Sequence, residues 1–291
     1  MRIKGGNQMS FHKEPTMYVS SVHLNVADIK RSKKFYQEVL GFQVLEEADK
    51  LVRLTADGKH ALLVMEQPDN VIPKRGRTTG LYHFAILLPT RADLAHFVRH
   101  IVPLGMELGA SDHKVSEALY FSDPDGNGIE VYRDRDPSEW NWENEQVEMT
   151  VDPLDAEDLL SAAKGGAWNG LPEETVMGHI HLHVAHLPEV ERFYTEGLGF
   201  EVVTRYGNQA LFLSDAKYHH HVALNTWNGV GAPQPEPSSV GLKAYTIMIS
   251  DEEKRQNMIN RLQAIGSSVQ AFGDQYMTED PSGNQIILAV T

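Results

Sequence analysis

Cysteine is absent from the 291 residues. Disulfides, zinc ribbons, iron–sulfur clusters and thiol nucleophiles are thereby excluded, and any metal must sit on His, Asp, Glu or Tyr. Positive charge is scarce: 26 Lys plus Arg stand against 40 Asp plus Glu, a formal charge of −14. Such a surface repels phosphate backbones and anionic membranes, so neither nucleic acid nor a membrane is an expected partner. Long apolar runs are also missing. No stretch approaches the roughly 20 residues of a membrane span, and residues 1–18 hold no apolar signal region. A soluble, cytoplasmic protein is expected. What the chain does have is 14 histidines, and a 41% hydrophobic share over a length sufficient for about two domains.

The chain repeats itself. VHLNVADIKRSKKFYQEVLGFQV (22–44) matches IHLHVAHLPEVERFYTEGLGFEV (180–202) without a gap, an offset of 158 residues. GLYHFAILLP (80–89) matches GLKAYTIMIS (241–250), and DPDGN (123–127) matches DPSGN (280–284). Each half therefore carries two units, and the chain four modules. Each module reads as an alternating strand, an amphipathic helix closed by glycine, then short strands. In the second module, Thr90 is placed to cap a helix presenting Leu94, Phe97, Val98 and Ile101, ending near Gly105. In the fourth, Ser250 and Glu253 have capping-box spacing before Met258, Ile259, Leu262 and Ile265, with an end at Gly266. The predicted class is α+β: four βαβββ modules in two tandem halves, 19–133 and 176–291, joined by a linker over 134–175.

In GHIHLHV (178–184), the period of two puts His179, His181 and His183 on one face and Ile180, Leu182 and Val184 on the other. His23 matches His181 in the first module, but Ser21 stands where His179 does. In EALYFSDPDGNGIEVY (117–132), a hairpin centred on Asp125 makes Tyr120 and Glu130 neighbours. A Glu between Ile129 and Val131 is costly in a half-buried strand unless a cation or donor meets it. The plainer alternatives are a hydrogen-bonded imidazole row and a strand-edge Glu130 facing water. Asp123, Asp125, Asn127 and Gly128 imitate the start of a calcium-binding loop, but the flanks are strands and Asp134 rather than Glu ends it. His83, Glu130 and His179 would supply two neutral imidazoles and one carboxylate, a facial triad for Fe(II). Spacing alone does not bring them together.

First strands followed by FY…LGF helices, with a DPDGN turn before a Glu, resemble the vicinal oxygen chelate superfamily of glyoxalases, bleomycin-resistance proteins and extradiol dioxygenases. Within it the sequence is most similar to the catechol 2,3-dioxygenase family. The resemblance covers nearly the whole chain apart from the first 18 residues and the linker. It implies two cup-shaped mixed β-sheets with flanking helices, and His83, Glu130 and His179 as ligands to Fe(II), with Mn(II) second. It further implies Tyr120, ten residues before the metal Glu, as a catalytic tyrosine. His220, in the run His219–His221 of HHHVAL, matches an acid on the dioxygen side, and His113 a residue assisting deprotonation. The family takes all three ligands from its last two modules, yet here Ala244 stands where the second module has His83, and Ile287 where it has Glu130. The implied arrangement therefore pairs modules two and three in one metal-binding cup, and modules one and four, with Ser21, Ala244 and Ile287, in a second cup without metal.

The implied activity is opening of a small catechol-like substrate by O2 to a ring-opened semialdehyde; assembly as a homo-oligomer is compatible with it. The rivals are a glyoxalase-type isomerase, lyase or transferase, and a non-catalytic binding protein of the resistance kind. The first rival usually needs a fourth carboxylate ligand where this chain has Val222-Ala223-Leu224. The second has no need of a His/Glu/His set.

Overall fold

The computed structural model describes residues 11–291. Most of the segment 1–18, read above as lacking an apolar signal region, lies outside the described residues. Module one comprises β1 (Tyr18–Asn25), α1 (Ile29–Phe35), β2 (Gln43–Ala48), β3 (Leu51–Thr55) and β4 (Leu63–Glu66). Module two comprises β5 (Gly80–Leu87), α2 (Arg91–Ile101), β6 (Gly109–Asp112), β7 (Ser116–Ser122) and β8 (Gly128–Asp134). The connecting segment holds a ribbon of β9 (Trp142–Glu143) and β10 (Gln146–Val147), then α3 (Ala156–Ser161). Module three is β11 (Val176–His183), α4 (Leu187–Arg192), β12 (Glu201–Tyr206), β13 (Ala210–Ser214) and β14 (Val222–Asn225). Module four is β15 (Gly241–Ile249), α5 (Glu252–Ala264), β16 (Val269–Phe272), β17 (Gln275–Glu279) and β18 (Gln285–Val290). No described helix is long and apolar enough to cross a membrane.

The modules pair across the duplication. One eight-stranded sheet runs β12-β13-β14-β11-β5-β8-β7-β6 and the other β16-β17-β18-β15-β1-β4-β3-β2. Modules two and three thus make one mixed sheet, and one and four the other, as expected. The seams are antiparallel, β5 against β11 and β1 against β15. One face of each strand feeds the common core: Phe84 and Ile86 from β5, Ile180 and Leu182 from β11, Val22 and Leu24 from β1.

The FY…LGF repeats end in wide π-helical turns, Tyr36–Leu40 and Phe193–Leu198, closed by Gly41 and Gly199 at φ 81° and 95°, a conformation that favours glycine. From these turns Tyr36 Oη donates to Asp123 Oδ2 at 2.9 Å, and Tyr194 Oη to Asp280 Oδ2 at 3.1 Å. Asp123 Oδ1 accepts the backbone N–H groups of Asp125 and Asn127, and Asp280 Oδ1 those of Ser282 and Asn284. Both sequence repeats therefore meet in a buried hydroxyl–carboxylate lock. The Asp123 carboxylate is consumed inside the turn, which agrees with rejecting a calcium loop.

Thr90 caps α2 by accepting the N–H of Asp93, and Gly105 closes the turn after it at φ 68°. The cap of α5 differs from expectation: Asp251, not Ser250, accepts the N–H of Lys254, while Ser250 Oγ donates to Asp251 Oδ2. A carboxylate one residue further on satisfies the helix terminus better than a hydroxyl. The segment 134–175 is more than a tether. Its Trp140 and Val147 are buried with Phe11, Val115, Val203 and Tyr218, and Val147 C=O accepts from Thr204 Oγ1 at 2.7 Å, which folds the segment over the sheet of modules two and three.

Candidate metal centre

Strand register assembles the site. Across the β5–β11 seam, His83 stands opposite His181 and Ala85 opposite His179. On the other side of β5, Glu130 of β8 lies beside Ala85, and Tyr120 of β7 faces Glu130. Neighbours in register project to the same side of a sheet, so Tyr120, Glu130, Ala85 and His179 form one row across four strands. The methyl of Ala85 leaves room between the carboxylate and the imidazole, and His83, two residues earlier on the same face, leans into it.

His83 Nε2 and His179 Nε2 each approach Glu130 Oε2 at 3.0 Å. One ligand atom from each of the three residues lies within 4.8 Å of the others, and all three side chains are buried. Burial alone would raise the Glu130 pKa, but attraction to His179 and His83 carries it well below the carboxylate range. Burial brings His179 down to about 4, despite the pull of Glu130. Glu130 is thereby held as the ionised carboxylate and His179 as the neutral imidazole, the state in which metals are bound. His83 Nε2 is left without a hydrogen bond. Two imidazole nitrogens crowded onto one buried carboxylate oxygen, only one of them in hydrogen-bond geometry, are costly unless a cation sits between them, so the donor set fits a first-row divalent ion with open positions.

No fourth protein ligand is in place among the described residues. In register, Ala223 of β14 flanks His181, as Glu130 flanks Ala85, and a methyl offers no donor atom. His181 is itself engaged, since Asn225 Nδ2 donates to its Nε2 at 2.9 Å.

The triad opens on a cavity of about 270 Å³, lined also by Tyr120, His113 and His220. His113 Nδ1 lies 2.6 Å from Thr150 C=O, which only accepts, so this nitrogen carries the proton. His113 Nε2 is then the acceptor for Tyr120 Oη, also at 2.6 Å. Burial, and after it the charge of Glu130, pushes the Tyr120 phenol well above its ordinary pKa, so it keeps its proton. In the histidine run, His221 Nε2 bonds Phe11 C=O and His219 Nε2 bonds Asp134, whereas His220 lines the cavity with its ring 4.0 Å from that of His179. Burial holds His220 and His181 well below the ordinary imidazole pKa.

Thr150, Asn225 and the aromatic wall of Phe212 and Trp227 were not singled out from the sequence. Asn225 carried a signal, an amide ending the apolar strand VAL directly after the histidine run. Thr150 carried none, because its part is played by a backbone carbonyl.

Comparison with known proteins agrees with this geometry. The glyoxalase/bleomycin resistance protein/dioxygenase superfamily model matches residues 18–131. The chain is 42% identical over 284 residues to the catechol-2,3-dioxygenase of Bacillus subtilis (strain 168), covering 97% of this chain and 99% of that protein. It is 34% identical over 104 residues to biphenyl-2,3-diol 1,2-dioxygenase 3 of Rhodococcus globerulus, covering 35% of this chain and 55% of that one. Among solved structures, glyoxalase I of Zea mays superposes with a TM-score of 0.56 at 15% identity, covering 94% of this chain and 92% of the other. The chain belongs to the glyoxalase/bleomycin resistance protein/dioxygenase superfamily.

Proposed function

We propose that this protein is an Fe(II)-dependent extradiol dioxygenase that opens a catechol with O2 to a ring-opened semialdehyde, with Mn(II) as the second candidate metal. The observation that carries the reading is the convergence of His83, Glu130 and His179, a group able to hold a metal ion, with Ala223 where a fourth ligand would stand, on the wall of a cavity that also holds Tyr120, His113 and His220. Identity of 42% over nearly the full length of a catechol-2,3-dioxygenase supports it. The metal held by His83, Glu130 and His179 would supply redox-capable Lewis-acid chemistry for substrate and dioxygen.

The chain's own residues then bind, orient and move protons. Phe212 and Trp227 give the substrate ring an apolar wall. Tyr120, held as a neutral phenol, orients a substrate oxygen and passes its hydrogen bond to His113 Nε2. His113, its tautomer set by Thr150, assists deprotonation of a substrate hydroxyl. His220 serves the dioxygen side. Both co-substrates are small and diffusible, which suits a cytoplasmic location.

The test is anaerobic loading with Fe(II) or Zn(II), followed by catechol and labelled O2. One O2 consumed per catechol, with both labelled atoms in the ring-opened product and only with Fe(II), is the expected result. Turnover with zinc and not with iron replaces the reading with an isomerase or hydrolytic role.

A further inference from the structure

Behind His220 lies a chain of buried groups that the mechanism above does not use. His219 Nε2 is 2.7 Å from Asp134 Oδ1, and His219 Nδ1 is 2.9 Å from His220 Nδ1. The same Asp134 oxygen accepts from Tyr218 Oη at 3.2 Å, and Tyr218 Oη is 2.7 Å from Tyr132 Oη. His219, Tyr218 and Tyr132 have no solvent exposure. Aromatic rings wrap the chain: the His219 ring lies 4.0 Å from that of Tyr218 and 5.2 Å from that of Trp140.

For a neutral His219 the donor inventory fixes the protons. A carboxylate accepts only, so His219 Nε2 carries hydrogen and donates to Asp134. A neutral imidazole then has a bare Nδ1, and the contact with His220 Nδ1 is satisfied only if His220 Nδ1 carries hydrogen. His220 Nε2 is left without a proton, and among the described residues no protein group bonds it. An unconstrained histidine side chain favours the opposite tautomer, with the proton on Nε2, so the surroundings impose this one.

We propose that Asp134 and His219 are positioning residues that lock His220 with its proton on Nδ1, so that a bare Nε2 faces the cavity as a hydrogen-bond acceptor for a substrate hydroxyl. His220 thus begins the reaction as acceptor and serves as a donor only after taking up a proton from the substrate. This differs from reading His220 simply as the resident acid. It also sets His220 beside His113, whose Nε2 is likewise left unprotonated by Thr150 behind it but is taken by Tyr120 Oη. The role of the relay in turnover rests on the dioxygenase reading, whereas the tautomer does not.

Two measurements test it. Long-range ¹H–¹⁵N correlation spectra of histidine-labelled protein, assigned with His220→Ala, report the tautomer without any turnover. The expected pattern for His220 is protonation at Nδ1 in the wild type, shifting toward Nε2 in His219→Leu. An Nε2-protonated His220 in the wild type overturns the proposal even if no variant folds. In iron-loaded protein, His219→Leu lowers kcat by about 10- to 100-fold with metal content and KM for catechol little changed. His219→Gln, which offers an amide donor to Asp134 and a carbonyl acceptor to His220, recovers most of that loss. Equal loss in both variants, or none in His219→Leu, overturns the relay. A wild type that opens no catechol overturns the dioxygenase reading instead and leaves the spectroscopic result to stand by itself.

Discussion

His83 and His181 stand directly opposite each other across the β5–β11 seam, their rings 5.0 Å apart and nearly perpendicular, yet they have different duties. The Nε2 of His181 accepts from Asn225, whereas that of His83 is turned to Glu130 with no hydrogen bond of its own. His181→Ala is therefore expected to keep its metal. Metal analysis of the purified variant checks this, and loss of the ion would make His181 a ligand.

Glu130→Ala and His83→Ala are expected to lose both metal and turnover, since each removes one of the three proposed protein ligands. Metal content by mass spectrometry, after loading under identical anaerobic conditions, is the measurement. Wild-type content in Glu130→Ala would reduce that residue to a buried carboxylate satisfied by imidazoles.

Tyr120→Phe and His220→Ala are expected to retain metal while turning over catechol about 10²–10⁴-fold more slowly, the range typical of a positioned proton-transfer group. Steady-state oxygen uptake at matched metal content decides. A fully active His220→Ala would remove the histidine run from the reaction, because His219 and His221 are bonded to Asp134 and Phe11 instead of lining the cavity.

The legible parts of the site were those written in one strand or one hairpin. Alternation in GHIHLHV separates the histidine face from Ile180 and Leu182, and the symmetric hairpin sets Tyr120 against Glu130. The exchange of modules between halves was legible from what stands at three positions, Ser21, Ala244 and Ile287. The relay behind His220 was not. Asp134 ends one strand, His219 precedes another, and Tyr132 and Tyr218 come from different modules, so no local spacing announces that they meet. The π-helical turns were also hidden, because a single turn of five or six residues is too short to show a period of its own.

Acid should destabilise the fold before its carboxylates titrate. Burial holds His183 at about 4, and burial, followed by Lys243, holds His23 at about 4, both from an ordinary 6.5. Between these values the unfolded chain binds protons that the folded chain refuses, so stability is full above pH 6.5 and falls as the pH drops toward 4. Urea midpoints should decline through that window. His183→Gln should flatten the decline, and a midpoint constant from 6.5 to 4 would contradict the argument.

Gly178→Ala should be costly although its backbone is ordinary. A Cβ there would lie 2.0 Å from Tyr132 Oη, which is held by Tyr218. Overpacking of this kind costs about 1–3 kcal/mol, readable as a lower urea midpoint with unchanged slope. An unchanged midpoint would mean that the tyrosine pair moves aside freely.

The crossing of modules between halves also sets a timetable for synthesis. When the first half leaves the ribosome, β1 and β5 are complete strands whose partners, β15 and β11, are not yet made. Both would-be seams are then bare hydrogen-bonding edges, of the kind that recruit other chains. The β5 edge must wait for Val176–His183 and the β1 edge for Gly241–Ile249, several seconds to tens of seconds at ribosomal speeds. The two halves, expressed as separate polypeptides, should therefore find each other and close both seams between them.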